Sequence, residues 1–140
     1  MIYALDTNAI IHLLGHNPTV RSQRDAALER GAQFIIPPYV NFELLRGFHY
    51  VQATAKERSY RNLCTWYPIG EMRLETWELA ANVYTNLRKS HYTVGDADIL
   101  IAAFCLIDGY TLITNNTKDF INIHGLQLVD WTIPQNPNLT

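Results

Sequence analysis

Three short apolar runs, Ile2-Tyr3-Ala4-Leu5, Phe34-Ile35-Ile36 and Tyr110 to Thr114, are separated by long segments of helical periodicity. None of the three carries a charge. A strand without a polar face has to be covered on both sides, and strands joined through helices run parallel. The spacing therefore predicts an α/β fold, a central mostly parallel sheet flanked by helices. Ligands of such folds bind beyond the carboxyl ends of the strands.

The helical segments between the runs are bounded by recognisable punctuation. Thr7 to Leu14 reads as a short helix ended by Gly15, and Thr19 to Arg30 as a helix closed by Gly31. Pro37-Pro38 follows the second run; a proline cannot join a central ladder, but Pro38 suits the first turn of a helix that runs to Gly47 and beyond. Further helices are expected over Ala55 to Cys64 and Leu74 to Arg88, the latter with Trp77, Ala80, Ala81, Tyr84 and Leu87 at helical spacing. Asp96 to Ile107 is apolar on nearly every face and reads as a buried helix. Trp66-Tyr67-Pro68-Ile69 and Leu126 to Asp130 read as additional strands. Residues 1–133 form one domain on this reading, and 134–140, polar and containing proline, a loose tail.

Composition narrows the function classes. The chain has 140 residues, 48% of them apolar, enough for one sizeable core and too many for a disordered protein. No apolar run approaches the roughly 20 residues that span a bilayer, and the acid at position 6 rules out a signal peptide. Cys64 and Cys105 lack metal-like spacing and read as reduced core residues, which fits the cytoplasm. The formal net charge of −2 excludes nucleic-acid binding through bulk positive charge. Any such binding has to be local, or a cation has to neutralise acids.

Four acids stand where strand-like segments end or helices begin: Asp6, Glu43, Asp98 and Asp119. Asp6 directly follows the first run, where it suits a helix N-cap as well as a crevice. Glu43 lies among Val40, Phe42, Leu44 and Leu45, with Arg46 three residues on as an available partner. Asp98 opens the most apolar helix, two residues after Asp96. That spacing is about 200° of helical rotation, so the two acids do not share a face. Asp96, next to Gly95, is the expected cap or supporting residue, and Asp98 the expected ligand. Asp119 ends the polar loop Thr114-Asn115-Asn116-Thr117-Lys118, an ordinary turn composition. Each acid has a structural explanation of its own. Together they form a carboxylate cluster that a cation would hold, and Mg²⁺ or Mn²⁺ for phosphodiester chemistry is the economical reading.

These segments also resemble the motifs of a known family. Leu5-Asp6-Thr7-Asn8 resembles the opening motif of PIN-domain ribonucleases, and Val40 to Gly47, around Glu43, the second acidic motif. Val94-Gly95-Asp96-Ala97-Asp98-Ile99-Leu100-Ile101-Ala102-Ala103 resembles the third. Thr114 to Phe120, with Gly125-Leu126 and Asp130-Trp131, resembles the C-terminal motif of VapC-type toxins. The resemblance implies a PIN-like three-layer sandwich and a Mg²⁺- or Mn²⁺-dependent endoribonuclease, the toxin of a toxin–antitoxin module, with a cognate antitoxin and a homodimeric state. It implies that Asp6, Glu43, Asp98 and Asp119 are the acidic set, with Asp6 and Asp98 holding the main metal. Thr7, Asn8, Asp96, Thr114 and Asn116 would support them.

Other signals are weaker. His12 and His16 have helical metal-pair spacing but no third ligand nearby in sequence, so surface roles are expected. Trp66, Tyr67, Trp77 and Tyr84 suit core or interface packing better than base stacking; Tyr39, Phe42, Phe48 and Tyr50 suit an antitoxin or dimer surface. Rival readings are a Mg²⁺-dependent phosphatase or phosphotransfer domain, which would want a second Asp close to Asp6 and a downstream Lys, and an inactive PIN-like binding module. Incubation with RNA, single-stranded DNA and a phosphate ester separates the three.

Overall fold

The computed structural model describes residues 1–134, so the expected tail beyond Pro134 lies outside the described residues. In chain order the elements are β1 (Ile2–Leu5), α1 (Thr7–Leu14), α2 (Pro18–Glu29), β2 (Gln33–Ile35), α3 (Pro38–Tyr50), α4 (Thr54–Cys64), α5 (Leu74–Lys89), α6 (Asp96–Asp108), β3 (Thr111–Ile113), α7 (Thr117–Phe120) and β4 (Leu128–Val129). The four strands form one sheet in the order β2-β1-β3-β4, and every pairing is parallel. Ala4 and Leu5 point to opposite faces of the central strand and are both fully buried, so both faces are covered. The predicted layered α/β architecture is present. No helix among the described residues is long and apolar enough to cross a membrane.

The strand order determines where a site can lie. From β1 the chain crosses to β2 on one side; it later returns past β1 to β3 on the other. Right-handed crossovers in opposite directions place their helices on opposite faces of the sheet. The neighbouring ends of β1 and β3 are therefore a switch point, with a crevice beyond their carboxyl termini. The register pairs Leu5 with Ile113, so Asp6 and Thr114 leave the sheet side by side.

α6 fills the core beside β3, with Ile99, Ile101, Ala102, Ala103, Phe104 and Cys105 all buried. It starts at Gly95 as N-cap and ends at Gly109, whose φ of 72° lies in the left-handed region that glycine enters without a Cβ penalty. Asp96 is the first residue of the helix rather than its cap. Gly95 takes the extended cap conformation, and no side chain caps the helix.

Two other expectations change. Residues 66–69 do not form a strand: the contact with the sheet is a single bridge between Ile36 and Ile69. Pro68 supplies only its carbonyl, accepting from the Ile36 N–H at 2.9 Å, and Pro37 ends the partner segment at once. On α5 the buried stripe is Thr76, Ala80, Val83 and Leu87, whereas Trp77 is 51% and Tyr84 42% exposed. Large aromatics at helical spacing marked the outer face of this helix. Tyr67 is buried, as expected for packing, but Trp66 is 82% exposed. Cys64 and Cys105 are both free thiols; Cys105 is buried and Cys64 half-buried.

Candidate active site

Asp6 is only 6% exposed. Its backbone N–H donates to the Ile113 carbonyl at 3.0 Å, which continues the β1–β3 ladder one residue past the strand. Its own carbonyl accepts the first bond of α1, from the Ile10 N–H. The carboxylate is held at both oxygens: Oδ1 accepts from the Thr7 N–H at 2.8 Å, and Oδ2 from the Thr114 hydroxyl at 2.7 Å. The Asn116 N–H donates to that same hydroxyl at 3.1 Å. Asp6 is thus the N-cap of α1 and a crevice carboxylate at once. The two readings of the sequence are not exclusive, because a carboxylate oxygen that accepts one hydrogen bond keeps a second lone pair.

Glu43 reaches the crevice from α3. Its Oε1 accepts from the Thr7 hydroxyl at 3.4 Å, a long bond that orients it toward Asp6. Val40 and Leu44 on the same helix are buried, but Phe42 is exposed, so the apolar surround is one-sided. Arg46 makes no ion pair with Glu43 among the described residues; its guanidinium lies 5.1 Å from the centre of the Phe42 ring.

Asp98 projects from the first turn of α6, and Asp119 from the short helix α7. Both line a hollow of about 140 Å³, together with Lys118, Tyr92 and Asn122. Asp96 is solvent-exposed and absent from that lining, as the 200° rotation requires. No side-chain hydrogen bond of Asn8 or Asp96 occurs among the described residues.

The four acids sense one another. Burial pushes the Asp98 carboxyl up to about 6, and the charges of Asp6, Asp119 and Glu43 add to it in that order. Burial also raises Asp6, against its bonds to Thr114 and Thr7, with a smaller push from Asp119. Glu43 is raised by burial and then by Asp6. The ion pairs among the described residues are Arg24–Asp25, His49–Glu57, Arg61–Glu57 and Arg73–Asp108, none of which involves the four. The result is a pocket of carboxylates that make no ion pair among the described residues, with Lys118 on its wall as the nearby cation, an arrangement that is costly unless protons or a bound cation compensate.

Among the described residues no three His, Cys, Asp or Glu side chains converge closely enough to ligate one ion directly. His12 and His16 accordingly gain no third ligand. The carboxylate set suits a hard cation that keeps most of its waters and takes one or two carboxylates directly.

Three residues at this site escaped the sequence reading: Lys118, Tyr92 and Asn122. Lys118 adjoins Asp119 in sequence, which was the available signal. Tyr92 and Asn122 come from turns with no motif.

Comparison with known proteins places the chain's fold and family. The sequence pattern of the PIN domain matches residues 3–126. Ribonuclease VapC1 of Haemophilus influenzae (strain R2866) is 31% identical over 137 residues, covering 94% of this chain and 99% of that protein. Ribonuclease VapC1 of Rickettsia felis is 34% identical over 120 residues, covering 74% of this chain and 87% of that protein. Among solved structures, VapBC-1 from nontypeable Haemophilus influenzae superposes with a TM-score of 0.81 at 28% identity, over 95% of this chain and all of the other. The fold also matches VapBC2 from Rickettsia felis, solved bound to a DNA fragment from their promoter, with a TM-score of 0.86 at 23% identity over 94% of this chain and 99% of the other.

Proposed function

Because the chain belongs to the PIN domain family, we propose that it is a divalent-metal-dependent endoribonuclease, the toxin of a toxin–antitoxin pair. The observation that carries this reading is the set of four carboxylates, none in an ion pair among the described residues, at the β1–β3 switch point, three of which burial and mutual repulsion hold above the ordinary carboxylate range.

Asp6 and Asp98 are the residues that would hold Mg²⁺ or Mn²⁺, with Glu43 and Asp119 reaching it through water. When bound, such an ion polarises a phosphoryl oxygen and lowers the pKa of a water for in-line attack. The chain's own groups do the positioning. Thr114 and the Thr7 N–H fix both oxygens of Asp6, so that carboxylate meets the cation without first losing rotational freedom. The Thr7 hydroxyl steers Glu43. Lys118 places a positive charge beside Asp98 and Asp119, where an RNA phosphate would enter.

We infer a cognate antitoxin as the inhibitory partner, a homodimeric state and a cytoplasmic site of action. Relatives solved as VapBC complexes support the first of these inferences. The test is incubation of the protein with single-stranded RNA, single-stranded DNA and a phosphate monoester, each with Mn²⁺ or EDTA. Internal cleavage of RNA alone, abolished by EDTA, is expected. Release of phosphate from the monoester without RNA cleavage would move the assignment to a phosphatase.

Thr114→Val supplies a finer check. It removes the hydroxyl that links Asp6 to the Asn116 N–H. Loss of such a support costs roughly 10–100-fold in metal affinity or activity. We expect at least a tenfold slower cleavage with a raised Mn²⁺ requirement, and near-parental behaviour from Thr114→Ser. Equal rates for parent and Val variant would show that Asp6 needs no support from Thr114.

A further inference from the structure

Beside the acidic hollow lies a second one, of about 160 Å³. The two share Tyr92 and Asn122 as lining residues, so they adjoin at those side chains. The walls of the second hollow come from three segments: Asn86 and Ser90 at the end of α5, Tyr92 in the turn before α6, and Asn122 with His124 after α7. Leu87 and Ile123, both buried, supply an apolar floor.

The turn that carries Tyr92 is built with a local cost. His91 adopts a φ of 64°, in the left-handed region that side chains rarely enter. The Tyr92 N–H then donates to the Leu87 carbonyl at 2.9 Å, which folds the chain back over the end of α5. Tyr92 is thereby placed between the two hollows and is 44% exposed as a residue.

The chemistry of the second hollow differs from that of the first. Among the described residues no Asp, Glu, Lys or Arg lines it, so it lacks the permanently charged side chain that would select a phosphate, an ammonium group or a carboxylate. It combines an apolar floor, an aromatic edge, two side-chain amides, a hydroxyl and the His124 imidazole. That mixture suits a neutral, flat heterocycle with hydrogen-bonding edges. The volume is well below that of the pockets that take whole drug-sized ligands, and holds a single ring system. Asparagine amides pair with base edges, and exposed tyrosines stack on base faces.

We propose that this hollow is the subsite for one unpaired nucleobase of the RNA, adjacent to the phosphate at which the chain is cut. The proposal rests on the ribonuclease reading above and names the substrate feature that reading leaves open. Asn86, Asn122 and Ser90 read the base edge, and Tyr92 supports its face. The base has to leave its own stack to enter, so the cut falls in a loop, bulge or other single-stranded segment.

The test has two arms. A degenerate single-stranded RNA library is cut by the parent with Mn²⁺ and the ends are sequenced. A base preference is expected at one fixed position next to the cut. Asn86→Ala and Asn122→Ala, both at exposed positions, should reduce that preference roughly tenfold, the discrimination of one lost amide–base pair. Tyr92→Ala should weaken all bases alike by roughly tenfold, and Tyr92→Phe should restore them. In the second arm, fluorescence anisotropy follows binding of RNA hexamers of A, C, G or U to the Asp98→Asn protein, without turnover. The added Asn86→Ala change should narrow the spread among the four affinities. Unaltered preference in both arms overturns the subsite, as does a parent that cuts RNA with no preference at any position near the cut. A parent that cuts no RNA sinks the ribonuclease reading, and the subsite with it.

Discussion

Asp98→Asn and Asp6→Asn are each expected to slow RNA cleavage by about two to three orders of magnitude, whereas Asp96→Asn should stay near the parent. Each of the first two removes a charge from the pair proposed to hold the cation, and the transition-state stabilisation such charges supply is worth several kcal/mol at about 1.4 kcal/mol per factor of ten. The replacements keep shape. At position 6, the Asn carbonyl takes over the bond from the Thr7 N–H, and the amide donates to the Thr114 hydroxyl, which also accepts from Asn116. That hydroxyl's own proton then loses its partner, a cost of about 1 kcal/mol that leaves the fold intact. At position 98, no side-chain hydrogen bond among the described residues constrains the carboxylate, so the amide fits without rearrangement. Asp96 is exposed and rotated away from the hollow, and its replacement removes only a favourable interaction with the end of α6, about 0.3–1 kcal/mol. Single-turnover cleavage of a labelled RNA at saturating Mn²⁺ measures all three. An Asp98→Asn protein as fast as the parent, or an Asp96→Asn protein as slow as Asp98→Asn is expected to be, would reverse the assignment within the third acidic motif.

Much of this arrangement was legible because local and global signals agreed. β1, α6 and β3 are apolar on nearly every face, and burial inside a layered fold accommodates that. Asp6 and Thr114 were locatable because a parallel sheet aligns the ends of its strands. What stayed illegible shares a physical cause. The α5 sequence carries two apolar stripes at helical spacing, and periodicity alone does not say which one faces inward. The inward stripe contains Thr76, which hydropathy discounts, and the outward one Trp77 and Tyr84, which hydropathy favours. The strand expected at 66–69 has the right composition, but a ladder needs N–H groups that Pro37 and Pro68 lack. Tyr92 and Asn122 had no signal, because turns bring them to the site and a turn leaves no periodicity behind.

Asp98→Asn, expected to slow cleavage, should also make the metal-free protein more stable near neutral pH. In a chelator, the parent's melting temperature should fall as pH rises from about 5 to about 7.5. The sign follows from the direction of the shifts. Asp98, Asp6 and Glu43 all hold their protons more tightly folded than unfolded. Their stabilising contribution is complete below the ordinary carboxylate pKa and is lost as pH climbs through the folded value, about 6 for Asp98. A rise from 3.8 to about 6 bounds the Asp98 contribution at ~3 kcal/mol; the group is only half-buried, and solvent screening reduces it to on the order of 1–2 kcal/mol. Asp98→Asn removes that loss and should raise the neutral-pH melting temperature by roughly 3–8 °C while flattening its pH dependence. Mn²⁺ should act unequally on the two proteins. At about 100 times its dissociation constant it adds ~2.7 kcal/mol to the parent, with release of protons, and much less to the variant. Calorimetry at the two pH values, with EDTA and then with Mn²⁺, resolves these contributions. A metal-free parent that is more stable at the higher pH, with the variant tracking it, would show that the carboxylates do not repel one another as their placement requires. On the proposed function the repulsion is a cost of the site, since the charges that destabilise the empty fold are those that would bind the cation.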